Sequence, residues 1–303
     1  MRERKAIGID IGGTRIAVGA VHMAGIITAK KTFPTNPQAG FNNAMEQIRV
    51  AVKEVLFEAD WSLDEIEGIG VGCTGPVNTD LGVVENCFTL PSWQGKNLVA
   101  ALEGGMGKKT YLENDANTAL LGEYIAGVAR DVGNVVMFTL GTGVGSAVLI
   151  GGQLYRGMEG EHPELGHMPI DPEGPECYCG QTGCLESLVS GGAIGQWAEA
   201  CAMADSHEVF AQASKGSEAA LQILDMVARH ISRALSVVFH TFLPEMVILG
   251  GGVMEGERGR FVQAVHENLH GFEFIPLQRV RVEQAQLGND AGMIGAAYTV
   301  FTD

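Results

Sequence analysis

The sequence predicts an α/β fold built as two lobes, and three observations lead there. At 303 residues the chain is long enough to bury a sizeable core, in one large or two medium domains. Ala6 to Asp10 and Ile16 to Val21 are short apolar runs separated by Gly12, Gly13 and Thr14, which reads as strand, tight glycine turn, strand. Val135 to Leu140 and Ala147 to Ile150 repeat that plan around GTGVGS. Such an echo is what two duplicated lobes leave, each giving one hairpin to a shared cleft.

Each further element follows from its pattern. Ile26 to Thr32 is a third strand, and Phe41, Met45, Ile48, Val52 and Val55 recur at helical spacing. Ile66 to Val71 is a buried strand that runs into the turn chemistry of Gly75, Pro76, Asn78, Asp80 and Gly82. Gly104 to Thr110 contains GK, but no glycine stands five positions before Gly107 and Lys109 replaces the needed Ser or Thr, so it is not a Walker loop. Tyr111 to Glu113 is a strand, followed by a helix from Asn114 to about Arg130. Two helical stretches, Glu186 to Ala204 and Glu218 to Thr241, read as core. Pro244 ends the second, Met246 to Leu249 is a buried strand, and Gly250, Gly251 and Gly252 open the next helix. A last strand spans Val280 to Glu283, and GNDAGMIGAA leads into a C-terminal helix.

Composition narrows the partners. A net charge of −16 argues against nucleic acid and anionic membranes, which want clustered Lys and Arg. No apolar run approaches the roughly 18 residues of a membrane span, and MRERK opens no signal-peptide pattern, so a cytoplasmic location is expected. Cys73, Cys87 and Cys201 are scattered in apolar or helical contexts where free thiols are ordinary.

The chemistry concentrates between Glu164 and Glu186. His167, Cys177, Cys179 and Cys184 form a ligand set for tetrahedral structural zinc, and Gly180 and Gly183 can take the positive φ that wraps three thiolates round one ion. A disulfide with a spare thiol is the other reading. His162 also lies close by as a rival ligand. Glu164 and Glu186 bracket the cluster, where they could accept hydrogen bonds from sugar hydroxyls or serve as solvated loop charges. At the N-terminus, Gly12 and Gly13 would let backbone N–H groups approach a phosphate, Thr14 offers a hydroxyl, and Asp10 could hold Mg²⁺; an ordinary hairpin needs no more than the same glycines. Asp115 on local grounds is equally an N-cap.

The arrangement ExGH followed by CxCGxxGCLE resembles the ROK family of sugar kinases and sugar-responsive repressors. GIDIGGT resembles the first phosphate motif of the fold shared by hexokinase, actin and Hsp70-like ATPases, and ENDAN, the GPV turn and VILGGGV resemble further ROK motifs. The resemblance runs from Gly8 to about Ala297. It implies the sugar kinase/Hsp70/actin-like (ribonuclease H-like) fold with an ATP cleft between lobes. Residues 1–116 would form the small lobe, joined by a C-terminal helix at 291–303, and 117–290 the large lobe with its zinc loop at 164–186.

The resemblance also implies roles. Asp115 would take the proton of the attacking sugar hydroxyl, and Asn114 would bind a neighbouring one. Gly75 and Asn78 would border the sugar, as would Glu164, Glu186 and His167, the last with one ring nitrogen on zinc and the other on the sugar. Many relatives carry a sugar-contacting asparagine where Thr89 stands here, and Asn86 is the expected substitute. Asp10 would attend Mg²⁺, the N–H groups of Gly12, Gly13, Thr14, Gly141, Thr142 and Gly143 would hold phosphates, and Gly251 and Gly252 the adenosine.

The expected reaction is transfer of the ATP γ-phosphoryl group to the 6-hydroxyl of a hexose, glucose first, by a homodimer or higher homo-oligomer. Fructose, mannose or an N-acetylhexosamine are the alternatives within the family, HPELGH leaning towards fructose. A repressor would carry a helix-turn-helix domain ahead of Gly8, where this sequence has seven residues, and a non-catalytic sensor would lack Asp10 or Asp115. Zinc loss is expected to weaken sugar binding far more than ATP binding.

Overall fold

The computed structural model describes residues 4–255, 260–269 and 279–302; residues 1–3 and 303, the ends of the expected first lobe, lie outside these. The chain divides into two compact units. One holds the chain to Asp131, the segment Arg156–His162 and everything from Asn289 on; the other holds Val132–Tyr155 and Pro163–Gly288.

In the first unit, β1 (Lys5–Ile11) and β2 (Arg15–His22) pair antiparallel across the glycine turn, and β3 (Ile27–Pro34) pairs outside β2. Helix α1 (Phe41–Glu58) buries the expected stripe of Phe41, Met45, Ile48, Val52 and Val55. It leads to β4 (Ile69–Cys73), parallel to β1. The turn-rich stretch that follows forms a small sheet of its own, β5 (Val77–Asn78), β6 (Val83–Val84) and β7 (Lys96–Asn97). After α2 (Leu98–Met106), β8 (Thr110–Asn114) adds to the main sheet parallel to β4, and α3 (Asp115–Ala126) leaves its end. The sheet order is β3-β2-β1-β4-β8. Ile7, Ile9, Ile69 and Val71 are fully buried, because the sheet is covered on both faces.

The second unit repeats that plan. β9 (Val135–Leu140) and β10 (Val144–Ile150) pair antiparallel across GTG, and β11 (Gln153–Leu154) pairs outside β10. Helices α4 (Leu185–Val189), α5 (Gly191–Ala200), α6 (Ser206–Ala213) and α7 (Glu218–Phe242) follow, and then β12 (Met246–Gly250), α8 (Gly252–Glu255), α9 (Arg260–Asn268) and β13 (Arg281–Gln284). The order β11-β10-β9-β12-β13 has the same strand senses as the first sheet, so the echo in the sequence is an echo of topology. The stretch from Glu186 to Ala204 is two helices instead of one: Ser190 stands extended between them and caps α5 by accepting from Ala193 N. Helix α6 has no counterpart among the sequence expectations. No described helix is long and apolar enough to cross a membrane.

The unit boundary falls after Asp131, whereas the sequence set it at 116. The reason is backbone contact between α3 and the C-terminal helix Ala291–Thr299. A Cβ on Gly122 would lie 2.1 Å from Ala291 O, and one on Gly295 would lie 1.8 Å from Thr118 O. The same helix presses on the sheet, where a Cβ on Gly70 would sit 1.7 Å from Ala296 O. Main chain on both sides leaves nothing to move aside. Gly70→Ala is therefore expected to destabilise the chain by at least about 1–3 kcal/mol, the cost of overpacking a tight core. Thermal melts that match the parent within about a degree would refute this account of the helix packing.

Candidate active site

In the first unit the turn after β1 is closed by Gly12 N donating to Arg15 O at 2.9 Å, and Thr35 Oγ1 donates to Gly12 O at 2.7 Å. This corrects one expectation: the Gly12 N–H is already spent. Gly13 and the exposed Thr14 remain at the tip. The same holds at GTG, where Gly141 N donates to Gly143 O at 2.9 Å, leaving Thr142 and Gly143.

Asp10 is the last residue but one of β1, and Asp115 follows β8. Burial, and next the charge of Asp115, push the Asp10 carboxyl up to about 7, while the Arg15 guanidinium, 3.9 Å away, pulls it down. Two carboxyls share this end of the sheet. Asp115 is fixed by Ala116 N, which donates to its Oδ1 at 2.9 Å. Asn114 caps α3, its Oδ1 accepting from Ala116 N and Asn117 N at 2.9 and 3.2 Å. Its amide nitrogen thus faces outward, towards Gly75: a Cβ there would come within 2.8 Å of Asn114 Nδ2 and 3.5 Å of His162 Cε1. His162 belongs here and not to the cysteine cluster.

Beneath this turn lies Glu113, buried to 4 % exposure. Its Oε1 accepts from Asn114 N at 2.8 Å and Asn117 Nδ2 at 2.9 Å, and its Oε2 pairs with Arg156. Sequence reading missed both Glu113 and Arg156, because their pairing is a property of the fold.

Asn86 is a second correction. Its amide donates to Thr74 O and Thr89 Oγ1, and its carbonyl accepts from Phe88 N and Thr89 N. Two donors and two lone pairs are all such a side chain has, so Asn86 anchors its own turn and offers a sugar nothing. Thr89 then stands beside Gly13, whose Cβ would lie 3.6 Å from Thr89 Cβ. Asn78 Oδ1 accepts from Leu81 N at 2.9 Å, which leaves its amide nitrogen and one carbonyl lone pair for another partner.

In the second unit the atoms that His167, Cys177, Cys179 and Cys184 can offer a metal all lie within 4.8 Å of one another. His167 Nδ1 is 3.5 Å from Cys177 Sγ, and Cys179 Sγ is 3.6 Å from Cys184 Sγ. A tetrahedral zinc with bonds near 2.3 Å to sulfur sets its ligands about 3.7 Å apart. A disulfide needs about 2.05 Å, and all of these cysteines are free. The donor set fits the ion. Gly180 and Gly183 take φ of 90° and 67°, as expected, and Gly180 N donates to Cys177 O to close the knuckle.

Glu186, in the first turn of α4, has a task that the sequence did not reveal. Its Oε2 accepts from Val144 N at 2.7 Å and would meet a Cβ on Gly143 at 2.5 Å, so it braces the GTG turn. Tyr178, between two of the cysteines, puts its hydroxyl 3.3 Å from His167 Nε2 and hydrogen-bonds Glu186. Burial first, then Glu186 and more weakly Glu164, push this phenol's pKa up. The unit thus gathers Glu164, His167 and Glu186 about one phenol oxygen.

The GTG turn also borders a cavity of about 760 Å³, lined among others by Thr142, Gly191, His207, Phe210, Gly252 and Val253. Gly252 lines it as expected, whereas Gly251 serves the turn: it takes φ of 88° and its Cβ would lie 2.4 Å from Leu140 O. His207 and Phe210 stand on α6, and the only sequence signal for that helix was the cap at Asp205, which accepts from Glu208 N at 2.9 Å.

The model of the ROK family matches residues 6–302. The chain is 34 % identical to a glucokinase of Thermotoga maritima over 98 % of its own length and 97 % of the relative's. It is 32 % identical to an N-acetylmannosamine kinase of Citrobacter koseri over 96 % and 97 %. It also resembles the crystal structure of a ROK family glucokinase from Streptomyces griseus in complex with glucose and AMPPNP, with a TM-score of 0.83, 30 % identity and coverage of 99 % and 100 %.

The raised Asp10 sets a pH dependence. Between pH 3.8, its ordinary value, and about 7, the folded chain holds a proton that the unfolded chain releases. Stability from this group is complete at the acid end and is lost as pH rises through 7, by at most on the order of 4 kcal/mol. Without Mg²⁺, Asp10→Asn is expected to melt above the parent by a wider margin at pH 8 than at pH 5, where only part of that stability has gone. Equal differences at the two pH values would rule out a buried, protonated Asp10.

Proposed function

The chain belongs to the ROK family, and we propose that it is an ATP-dependent hexose kinase which phosphorylates the 6-hydroxyl of glucose. The observation that carries this reading is the pair Asp10 and Asp115 at the same end of the parallel strands β1, β4 and β8, beside a glycine turn and Asn114. Glucose stands first because the Thermotoga and Streptomyces relatives are glucokinases; the Citrobacter relative keeps N-acetylmannosamine as the alternative.

Phosphoryl transfer asks mainly for positioning and charge stabilisation. Asp115, fixed at the start of α3, accepts the proton of the sugar hydroxyl as the phosphoryl group arrives. Asn114 Nδ2 and the backbone at Gly75 hold a neighbouring hydroxyl, and Glu164, His167 and Glu186 the rest of the ring. Gly13, Thr14, Thr142 and Gly143 present N–H groups to the phosphates, and the cavity beside Gly252 takes the adenosine. Mg²⁺ held near Asp10 would neutralise phosphate charge, and that cation would also favour the ionised carboxylate there. Zinc on His167, Cys177, Cys179 and Cys184 would order the segment that carries Tyr178 and leads into Glu186.

Asp115→Asn is expected to fold as the parent does and to lose about 10²–10⁴ in turnover, the contribution of a positioned general base. Turnover within a few-fold of the parent, measured by coupled glucose phosphorylation, removes Asp115 from that role.

Removal of the metal should reach further than the sequence implies. Because Glu186 braces Val144 as well as facing the sugar, Cys179→Ser is expected to lose about one zinc per chain by elemental analysis and to weaken glucose and ATP analogue binding alike. Unchanged affinity for both ligands in calorimetric titrations of a zinc-free variant would dissociate the cluster from the site.

A further inference from the structure

The reading above gives the Tyr178 side chain no role, yet its hydroxyl sits on two of the groups assigned to the sugar. It lies 3.3 Å from His167 Nε2, bonds Glu186, and its ring meets the imidazole edge-on with centroids 5.2 Å apart. Its side chain is nonetheless 64 % exposed.

Donor arithmetic makes the contact consequential. With Nδ1 turned into the cysteine cluster, the imidazole carries its proton on Nε2 and has one N–H to give. Here the phenol oxygen accepts it, and the phenol O–H is donated to the Glu186 carboxylate. Glu186 also accepts from Val144 N, at Oε2. One donor and one acceptor, both needed by a sugar hydroxyl, are occupied by a hydroxyl of the protein itself.

Resting on the sugar-kinase reading, we propose that Tyr178 is an affinity-setting residue of the sugar site: its phenol stands in for a hexose hydroxyl on His167 and Glu186, and sugar binding displaces it into solvent. The backbone of Tyr178 is held on both sides by Cys177 and Cys179, so displacement is a side-chain rotation with no loop movement. The long Nε2 contact and the exposed ring make that rotation cheap. A phenol carries a hydroxyl able to accept and donate at once, as a sugar hydroxyl does. Each hexose bound must first break these two bonds, and affinity falls by what they are worth.

The test is calorimetric titration of the purified, zinc-containing full chain with glucose, parent against Tyr178→Phe. Removal of the hydroxyl should tighten glucose about three- to tenfold, with zinc content unchanged, since a net hydrogen bond is worth about that factor. Nitration of Tyr178, followed by peptide mass analysis, should become faster when glucose saturates the parent. A Phe variant with equal or weaker glucose affinity, or a Tyr178 shielded by glucose, overturns the proposal while leaving the kinase reading intact. Absence of glucose binding in both proteins sinks the sugar-site reading and this inference with it.

Discussion

One hydrogen bond organises the second unit: Val144 N to Glu186 Oε2 at 2.7 Å. Val144 begins the strand after the GTG turn, and Glu186 follows the last cysteine of the cluster by two residues. A single carboxylate therefore joins a turn suited to phosphate with a loop suited to sugar. Gly143 must be glycine for the carboxylate to come so near, since a Cβ there would stand 2.5 Å from it. A charge-assisted bond to a backbone N–H is also roughly twice as strong as a neutral one, which suits a joint that both ligands would load.

The first unit has a matching joint built from different parts. Glu113 holds the Asn114 and Asn117 ends of the turn between β8 and α3 and is neutralised by Arg156. A buried carboxylate without its partner is costly, so this pairing is what lets an acidic strand end lie under the turn. Arg156 also opens the Arg156–His162 segment, which joins the first unit between two stretches of the second. Its far end sets His162 beside Gly75 and Asn114.

What could be read from the sequence was what is local. Both glycine hairpins, the α1 stripe and the cysteine knuckle are patterns within a few residues, and each appears in place, down to positive φ at Gly180 and Gly183. What escaped depends on distant partners. The unit boundary is decided by Gly122 meeting Ala291, far away in sequence. Asn86 looked available because Thr74, which takes one of its amide protons, lies twelve residues earlier, before β5 and β6. The N–H groups of Gly12 and Gly141 are the subtler failure: a glycine turn advertises open amides, and only the closed turn shows which are used. Tyr178 carried no motif signal, because a tyrosine between cysteines has meaning only once His167 and Glu186 stand round it.

The acidity of the chain bears on how a nucleotide would be held. A net charge of −16 opposes a polyphosphate at long range, and Arg15 is drawn towards Asp10 and Asn289 O. Attraction must come from short-range, neutral donors. The turn amides at Gly13, Thr14, Thr142 and Gly143 would provide these, whereas at the start of α5 on the cavity wall Gly191 N is already donated to Gly141 O at 2.7 Å and Ala193 N to Ser190 Oγ. Such donors carry no net charge and are fixed by the backbone, so they need no rearrangement as charge builds on a transferring phosphoryl group. Glycine at these positions is then an electrostatic choice as much as a steric one. It lets main-chain dipoles do, in an acidic protein, what lysine would do elsewhere.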